Sequence, residues 1–364
     1  MKIKNVVQIM EEIAPLSYAE HYDNVGLLIG NKDTNVEGIL ITHDTIEEVV
    51  DEAIDKKCNL IISFHPIIFS GIKKFNGQDY VNRVVLKAIK NDIAIYATHT
   101  ALDNVLEGVN STICNRLNLS NRKILIPKKD YIYKLTTYAP IKDAEMLRNA
   151  LFYAGAGNIG NYDNCSFNIE GEGTFKGNEN SNPVLGISGE FRIEKEIQIN
   201  ITFEKHLKSK VLKTLFENHP YEEVAHEIIK LENQNQNIGL GMIGELEVEM
   251  NESDFLIYLK EKMNTNCIRH SKPLNKKIKK IAVLGGSGSS AIEDAKNSKS
   301  DVYITSDLKY HDFYKAEKDI LLCDIGHYES EQYTKTLLYE FLSKKIPNFA
   351  IVLSDINTNP VNYF

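Results

Sequence analysis

No CxxC pair occurs among the five cysteines Cys58, Cys114, Cys165, Cys267 and Cys323. Odd in number and scattered, they argue against a disulfide framework or a cysteine-rich zinc site, and for a reducing compartment. No uninterrupted apolar run approaches the ~20 residues that span a bilayer. The opening stretch MKIKNVVQIMEEIAP alternates charged and apolar residues where a signal peptide would carry an apolar block. A cytoplasmic protein with no membrane partner is expected. A long basic run is also missing. The 42 lysines and arginines are outnumbered by 50 aspartates and glutamates, for a net charge of −8, so nucleic acid is not a favoured partner. What the chain does have is an ordinary soluble composition, 43% apolar and 25% charged over 364 residues. That is material for two or three domains.

The first third alternates two periodicities. KNVVQIMEEIA, TIEEVVDEAIDKK and YVNRVVLKAIKND repeat apolar residues at helical spacing, the second with Thr45 as its expected cap. GILITHD, NLIISFHP and IAIYATHT read as buried strands. This rhythm predicts an α/β core with mostly parallel sheets. The last third repeats it, with strands in KKIAVLGG, DVYITSD, DILLCDIG and FAIVLSD and a helix in SEQYTKTLLYEFLSKK. The middle differs. YKLTTYAP, EKEIQINITFE and EEVAHEIIKLEN read as strands, and KDAEMLRNALFYAG and KHLKSKVLKTLFENHP as helices, in an order that suits a ferredoxin-like β-α-β-β-α-β unit. Polar segments flank it. The expected organisation is a split core at 1–127 and 235–364 around an inserted α+β domain at 128–234.

In open α/β sheets, ligands bind beyond the carboxyl ends of the strands. Four predicted strands deliver histidine there: His43, His65, His99 and His327. Asp103 follows His99 by four residues and Glu331 follows His327 by four, so each acid shares a helical face with its histidine. Imidazole plus carboxylate suits zinc, iron, manganese or cobalt. Taken alone, His43 reads as a hydrogen-bonded loop residue. The segment LGGSGSS places Gly285, Gly286, Ser287 and Gly288 between a strand and a helix, where free amides would suit a phosphate; a purely structural turn explains it equally well. TSDLKYHDF sets Asp307, Lys309 and His311 after a strand, in reach of proton transfer if they face a metal. Asp23 and Asn24 precede Gly26 and read as turn formers. In the middle region, His219, Glu222, Glu223 and His226 read as loop and strand residues, because no third segment converges on them.

The stretches YDNVGLLIG, SFHPIIFSGIK, THTALDNVLEGVN, GAGNIGNYDNCSF, HPYEEVAHEI, VLGGSGSS, DVYITSDLKYHDF and DIGHYESE occur in this order nearly end to end. Together they resemble the NIF-three-like family, whose members carry the name GTP cyclohydrolase 1 type 2 homologue, in its longer bacterial form with an insert similar to PII and CutA proteins. The resemblance implies a toroidal homohexamer and a centre of one or two divalent metal ions (zinc, iron or manganese) per chain, held by His65, Asp103, His327 and Glu331. Many members carry two histidines before the proline; here the first is Phe64. His43 stands where relatives usually have an apolar residue, and its orientation decides whether it compensates.

The reading that follows is a di-metal-dependent hydrolase acting on a nucleotide or another phosphorylated small molecule. Glu331 would bridge, His99 and His311 would move protons, and Gly285, Gly286, Ser287 and Gly288 would face phosphate. The alternative is a non-enzymatic metal-binding scaffold or regulatory ring protein that uses its insert to bind ligands or partners.

Overall fold

Three apolar runs, Ile39–Thr42, Leu60–Ser63 and Ala94–Ala97, are buried at every position and pair in parallel. Burial on both faces is why they read as continuous apolar stretches rather than alternating ones. Strand Ile351–Leu353 extends this sheet in parallel beside Ile39–Thr42, and Gly26–Ile29 closes the other edge antiparallel to Ala94–Ala97. Helices Ile3–Ile13, Glu47–Asp55, Tyr80–Lys90 and Thr334–Lys345 each present a buried apolar stripe. Val49, Val50, Val84 and Val85 pack on one set of sheet residues, and Ile3, Met10, Leu338 and Leu342 on another.

The second sheet has six strands, in the order Arg269–His270, Leu321–Asp324, Val302–Ser306, Lys277–Ser287, Asn235–Asn251 and Ser120–Lys128. Its two central pairings are parallel, but the short first strand and the long Asn235–Asn251 strand run antiparallel to their partners. This sheet is therefore mixed, its parallel centre flanked by antiparallel strands.

The computed structural model describes all residues 1–364, which divide into two units: 1–127 with 237–364, and 128–236. The second unit holds a four-stranded sheet in the order Phe167–Lys176, Phe191–Glu204, Ile132–Pro140, His226–Leu231, with every pairing antiparallel. Helices Ile141–Tyr153 and Lys208–Asn218 supply Leu147, Leu151, Val211 and Leu215 to its core. Strand Phe167–Lys176, sequence FNIEGEGTFK, has no buried residue; its apolar face, Phe167, Ile169 and Phe175, is thinned by Gly171 and Gly173.

Two local expectations are corrected. The Thr45 hydroxyl does not cap the following helix; Ile46 holds the cap position, and the Thr45 oxygen is buried without a hydrogen bond. The glycine segment is not a strand-to-helix turn throughout. The strand continues to Ser287, and a single 3-10 turn, Ser289–Ala291, precedes helix Ile292–Asn297. No helix is long and apolar enough to cross a membrane. All five cysteines are free thiols.

Candidate metal centre

The parallel register sets the site. Thr42 pairs with Ser63 and Ser63 with Ala97, so three neighbouring strands end level with one another and release His43, His65 and His99 at one edge. In the second sheet, Thr305 pairs with Asp324, and that edge releases Asp307 and His327. Gly326, at φ 93°, bends the chain from the strand into the short helix His327–Glu331. A side chain there would be strained. One helical turn then places Glu331 beneath His327, with Glu331 Oε2 3.2 Å from His327 Nε2. Gly286, at φ 70°, lies so close to Glu331 that a Cβ would strike the carboxylate.

Residues from both ends of the chain meet here. Glu331 Oε2 lies 3.3 Å from His65 Nε2 and 3.5 Å from His43 Nε2, so three imidazoles surround one buried carboxylate oxygen. His65 Nε2 and His327 Nε2 are 3.5 Å apart. Each of three rings is held at its other nitrogen by an acid. His65 Nδ1 donates to Asp44 at 2.7 Å, His327 Nδ1 to Asp307 at 2.7 Å, and His99 Nδ1 to Asp23 at 2.8 Å. A carboxylate on Nδ1 fixes the tautomer and turns the Nε2 lone pair toward the site, the usual arrangement behind a metal-bound histidine.

The donor set suits a divalent cation. Two Nε2 lone pairs 3.5 Å apart repel unless a proton or a cation lies between them. The buried atoms His43 Nδ1, His43 Nε2, Asp103 Oδ1 and Glu331 Oε2 make no hydrogen bond within the protein. Such atoms are costly to bury without a partner. Two groups have ligand atoms within 4.8 Å of one another: His65, His327 and Glu331, and His43, Asp44 and His65.

Electrostatics follow the same geometry. Burial works against a charged His65, yet the hydrogen bond to Asp44 and the neighbouring Glu331 carboxylate carry its pKa up to about 9. His327 is likewise opposed by burial but is pushed up to about 11 by Asp307 and Glu331. Burial would raise Glu331, but His327, His43 and His65 hold it well below the usual carboxylate range. Asp103 goes the other way: burial and then the Glu331 charge push it well up, with His65 and His327 opposing. Without a metal, protons occupy the positions that a cation would take.

Of the residues named from the sequence, the structure brings together His65, His327 and Glu331 at ligand distances. Asp103 is buried at the end of helix His99–Asp103, within electrostatic reach of these three but with no ion pair to them. The ring of His99 lies 5.2 Å from that of His65. His311 does not join the cluster: it is exposed on the 3-10 segment Tyr310–Ala316, against the rings of Tyr310 and Tyr314. The glycine segment is corrected as well. The Gly285 amide donates to Asn110 at 3.0 Å, that of Gly286 to the Ser330 hydroxyl at 2.9 Å, and that of Gly288 to Ser306 O at 3.5 Å. Three of the four amides at Gly285, Gly286, Ser287 and Gly288 are thus engaged inside the protein rather than free for phosphate. His43 is corrected in part: it lies in the bend just past strand Ile39–Thr42, as expected, but its two ring nitrogens are buried without a hydrogen bond. Asp44, Asp307 and Asp23 had a weak signal, an acid beside each strand end, but only the fold could show which imidazole each one holds.

A cavity of about 560 Å³ adjoins the cluster, lined among others by His43, His65, His327, Tyr328 and Tyr363. Arg269 is the only lysine or arginine in its wall, and it is ion-paired with Asp324.

Comparison with known proteins agrees with this architecture. The family model Duf34/NIF3 (NGG1p interacting factor 3) matches residues 1–360. Two relatives named GTP cyclohydrolase 1 type 2 homolog are similar throughout. That of Bacillus subtilis is 34% identical, covering 99% of this chain and 98% of its own; that of Halalkalibacterium halodurans is 36% identical, covering 100% of both. The crystal structure of a Bacillus cereus protein related to NIF3 superimposes with a TM-score of 0.87 at 36% identity, covering 100% of this chain and 99% of that one. The split α/β core, its insert and the full-length match agree: the chain belongs to the DUF34/NIF3 family.

Proposed function

We propose that the core unit is a divalent-metal-dependent hydrolase acting on a nucleotide or a comparable phosphorylated small molecule. The observation that carries this reading is the convergence of His65 Nε2 and His327 Nε2 on Glu331 Oε2, each ring held from behind by a carboxylate, beside an open cavity. His65, His327 and Glu331 would hold an ion, with Asp103 as the nearby acid. A bound divalent ion in such a site supplies Lewis acidity, which makes water nucleophilic near neutral pH.

The chain's own residues have separable tasks. Asp44 and Asp307 orient their imidazoles. His99, held by Asp23 and lying beside His65, would move a proton between site and solvent. Its backbone φ of 30° is unfavourable for a non-glycine residue, a strain often found at working positions. Tyr328 and Tyr363 give the cavity aromatic surface for a base, and Arg269 would meet a phosphate only by sharing or leaving its pairing with Asp324. The name carried by the relatives, GTP cyclohydrolase 1 type 2 homolog, is in keeping with a nucleotide-related role.

The test is a nucleotide turnover screen with zinc, manganese and iron on wild type and on the double variant Asp103→Ala, Glu331→Ala. The double variant should lose both bound metal and turnover. Full activity in a metal-free variant rejects the scheme.

A second reading, a regulatory scaffold, rests on a separate observation. The 128–236 unit has its own cavity of about 590 Å³, lined by Tyr138, Phe175, Val184 and Tyr221 around the buried Glu196. A Cβ at Gly171 in its wall would meet nothing within 4 Å, so a side chain has room to start there and Gly171→Leu should narrow the cavity. A small ligand that raises the Tm of wild type but not of this variant, with no nucleotide turned over, favours the scaffold.

A further inference from the structure

We infer that His43 is a metal ligand, supplying the imidazole that Phe64 cannot and completing a second ion position that shares Glu331 with the first. The inference rests on the metal reading above and adds to it which residue makes room for the second ion.

The backbone places positions 43 and 64 side by side. Strands Ile39–Thr42 and Leu60–Ser63 are in parallel register, with Thr42 opposite Ser63, so the next residue on each strand is His43 and Phe64. The strand ends are tied together: the Phe64 amide donates to His43 O at 3.1 Å and the His65 amide to the same oxygen at 3.0 Å. The two side chains stack, with ring centroids 5.4 Å apart and planes 23° from parallel. Both flank His65, at 4.7 Å for His43 and 4.9 Å for Phe64. Both positions therefore bring a ring within 5 Å of His65, side by side, but only one of the two residues carries a nitrogen.

His43 lacks the features of a structural histidine. Its side chain is 3% exposed, and neither ring nitrogen has a hydrogen-bond partner. A core imidazole normally satisfies both nitrogens, because each one left bare in an apolar interior costs free energy. The Nε2 atom points to the acids, 3.5 Å from Glu331 Oε2 and 4.0 Å from Asp44 Oδ2. The two candidate donor groups overlap at His65, whose Nε2 belongs with His327 and Glu331 and whose Nδ1 is already bonded to Asp44. His43 is thus the donor with no other task, facing the same Glu331 oxygen as His65 and His327.

The experiment counts zinc per chain by elemental mass spectrometry after loading and desalting, for wild type, His43→Leu, and His43→Leu combined with Phe64→His. Cobalt substitution, read by visible absorption, reports on the ligand set independently of turnover. His43→Leu should lower zinc by about one equivalent per chain and change the cobalt spectrum, and adding Phe64→His should restore both. Circular dichroism establishes that the variants fold; if His43→Leu does not, His43→Gln, which keeps a polar side chain, carries the same comparison. Wild-type zinc content and spectrum in the His43 variant overturn the assignment, as does a loss that Phe64→His fails to restore. Zinc bound by wild type and lost on Glu331→Ala but indifferent to His43 sinks only this inference. A wild type that binds no zinc, manganese or iron sinks the hydrolase reading as well.

Discussion

The two units use the same residue types in opposite ways. In the 128–236 unit, the Nε2 of His219 donates to Tyr138 O at 2.9 Å while its Nδ1 accepts from the Tyr221 amide at 3.1 Å. His226 donates to Val224 O at 2.9 Å, and Glu222 accepts the Asn182 amide at 2.8 Å. These imidazoles lie against the backbone, and nothing is left aimed at a common point. In the core, the backbone takes no ring nitrogen of His43, His65, His99 or His327. Carboxylates hold three of these rings at Nδ1, and the Nε2 atoms of His43, His65 and His327 face one buried acid. Counting histidines and acids does not separate a structural cluster from a metal centre. What separates them is which partner takes each nitrogen.

Breaking the shared acid should have the largest effect. Glu331→Ala removes the oxygen common to His43, His65 and His327 and should abolish zinc retention through desalting, read by elemental analysis. The matched change in the other unit, Glu222→Ala, should leave zinc content unchanged.

Loosening the support behind a ligand should cost less. Asp307→Asn keeps the shape but weakens the hold on His327, and zinc affinity measured by chelator competition should fall ~10–100-fold without vanishing.

Acidity should divide the ion-free from the loaded protein. In the ion-free fold, the pKa of His65 is raised from 6.5 to about 9. Its contribution to stability is therefore fully present below pH 6.5 and is lost as pH rises through about 9. The Tm of chelator-treated protein should fall across that window. Zinc affinity should rise over the same range, because protons compete for the same nitrogens. A Tm of the ion-free protein that rises with pH there would contradict the assignment.

The smallest effect tests the contrast from the other side. His219→Ala removes two hydrogen bonds from a buried ring and should cost about 1–3 kcal/mol, measured by denaturant unfolding, with no change in bound zinc.

The inserted unit and the parallel strands of the core were legible because their signals are local. ILIT, LIIS and AIYA are short apolar runs that only a strand covered on both faces explains, and KDAEMLRNALFYAG shows its helical period within one segment. The strand FNIEGEGTFK escaped because Gly171 and Gly173 interrupt its apolar face, and glycine in mid-strand reads as a loop. The glycines at 285, 286 and 288 misled for a related reason: a glycine needed so that a carboxylate can approach, as at Gly286, looks in sequence like one needed to cradle phosphate.

The amino-acid sequence by itself determined which histidines leave strand ends and that Glu331 shares a face with His327, since periodicity along the chain fixes both. Only the tertiary structure decided that His43 turns inward beside Phe64, that Asp44 and Asp307 stand behind the ligand rings, and that His311 lies outside. Those outcomes depend on strand register and on packing between segments more than 200 residues apart, and no local pattern encodes the direction in which a side chain meets a distant partner.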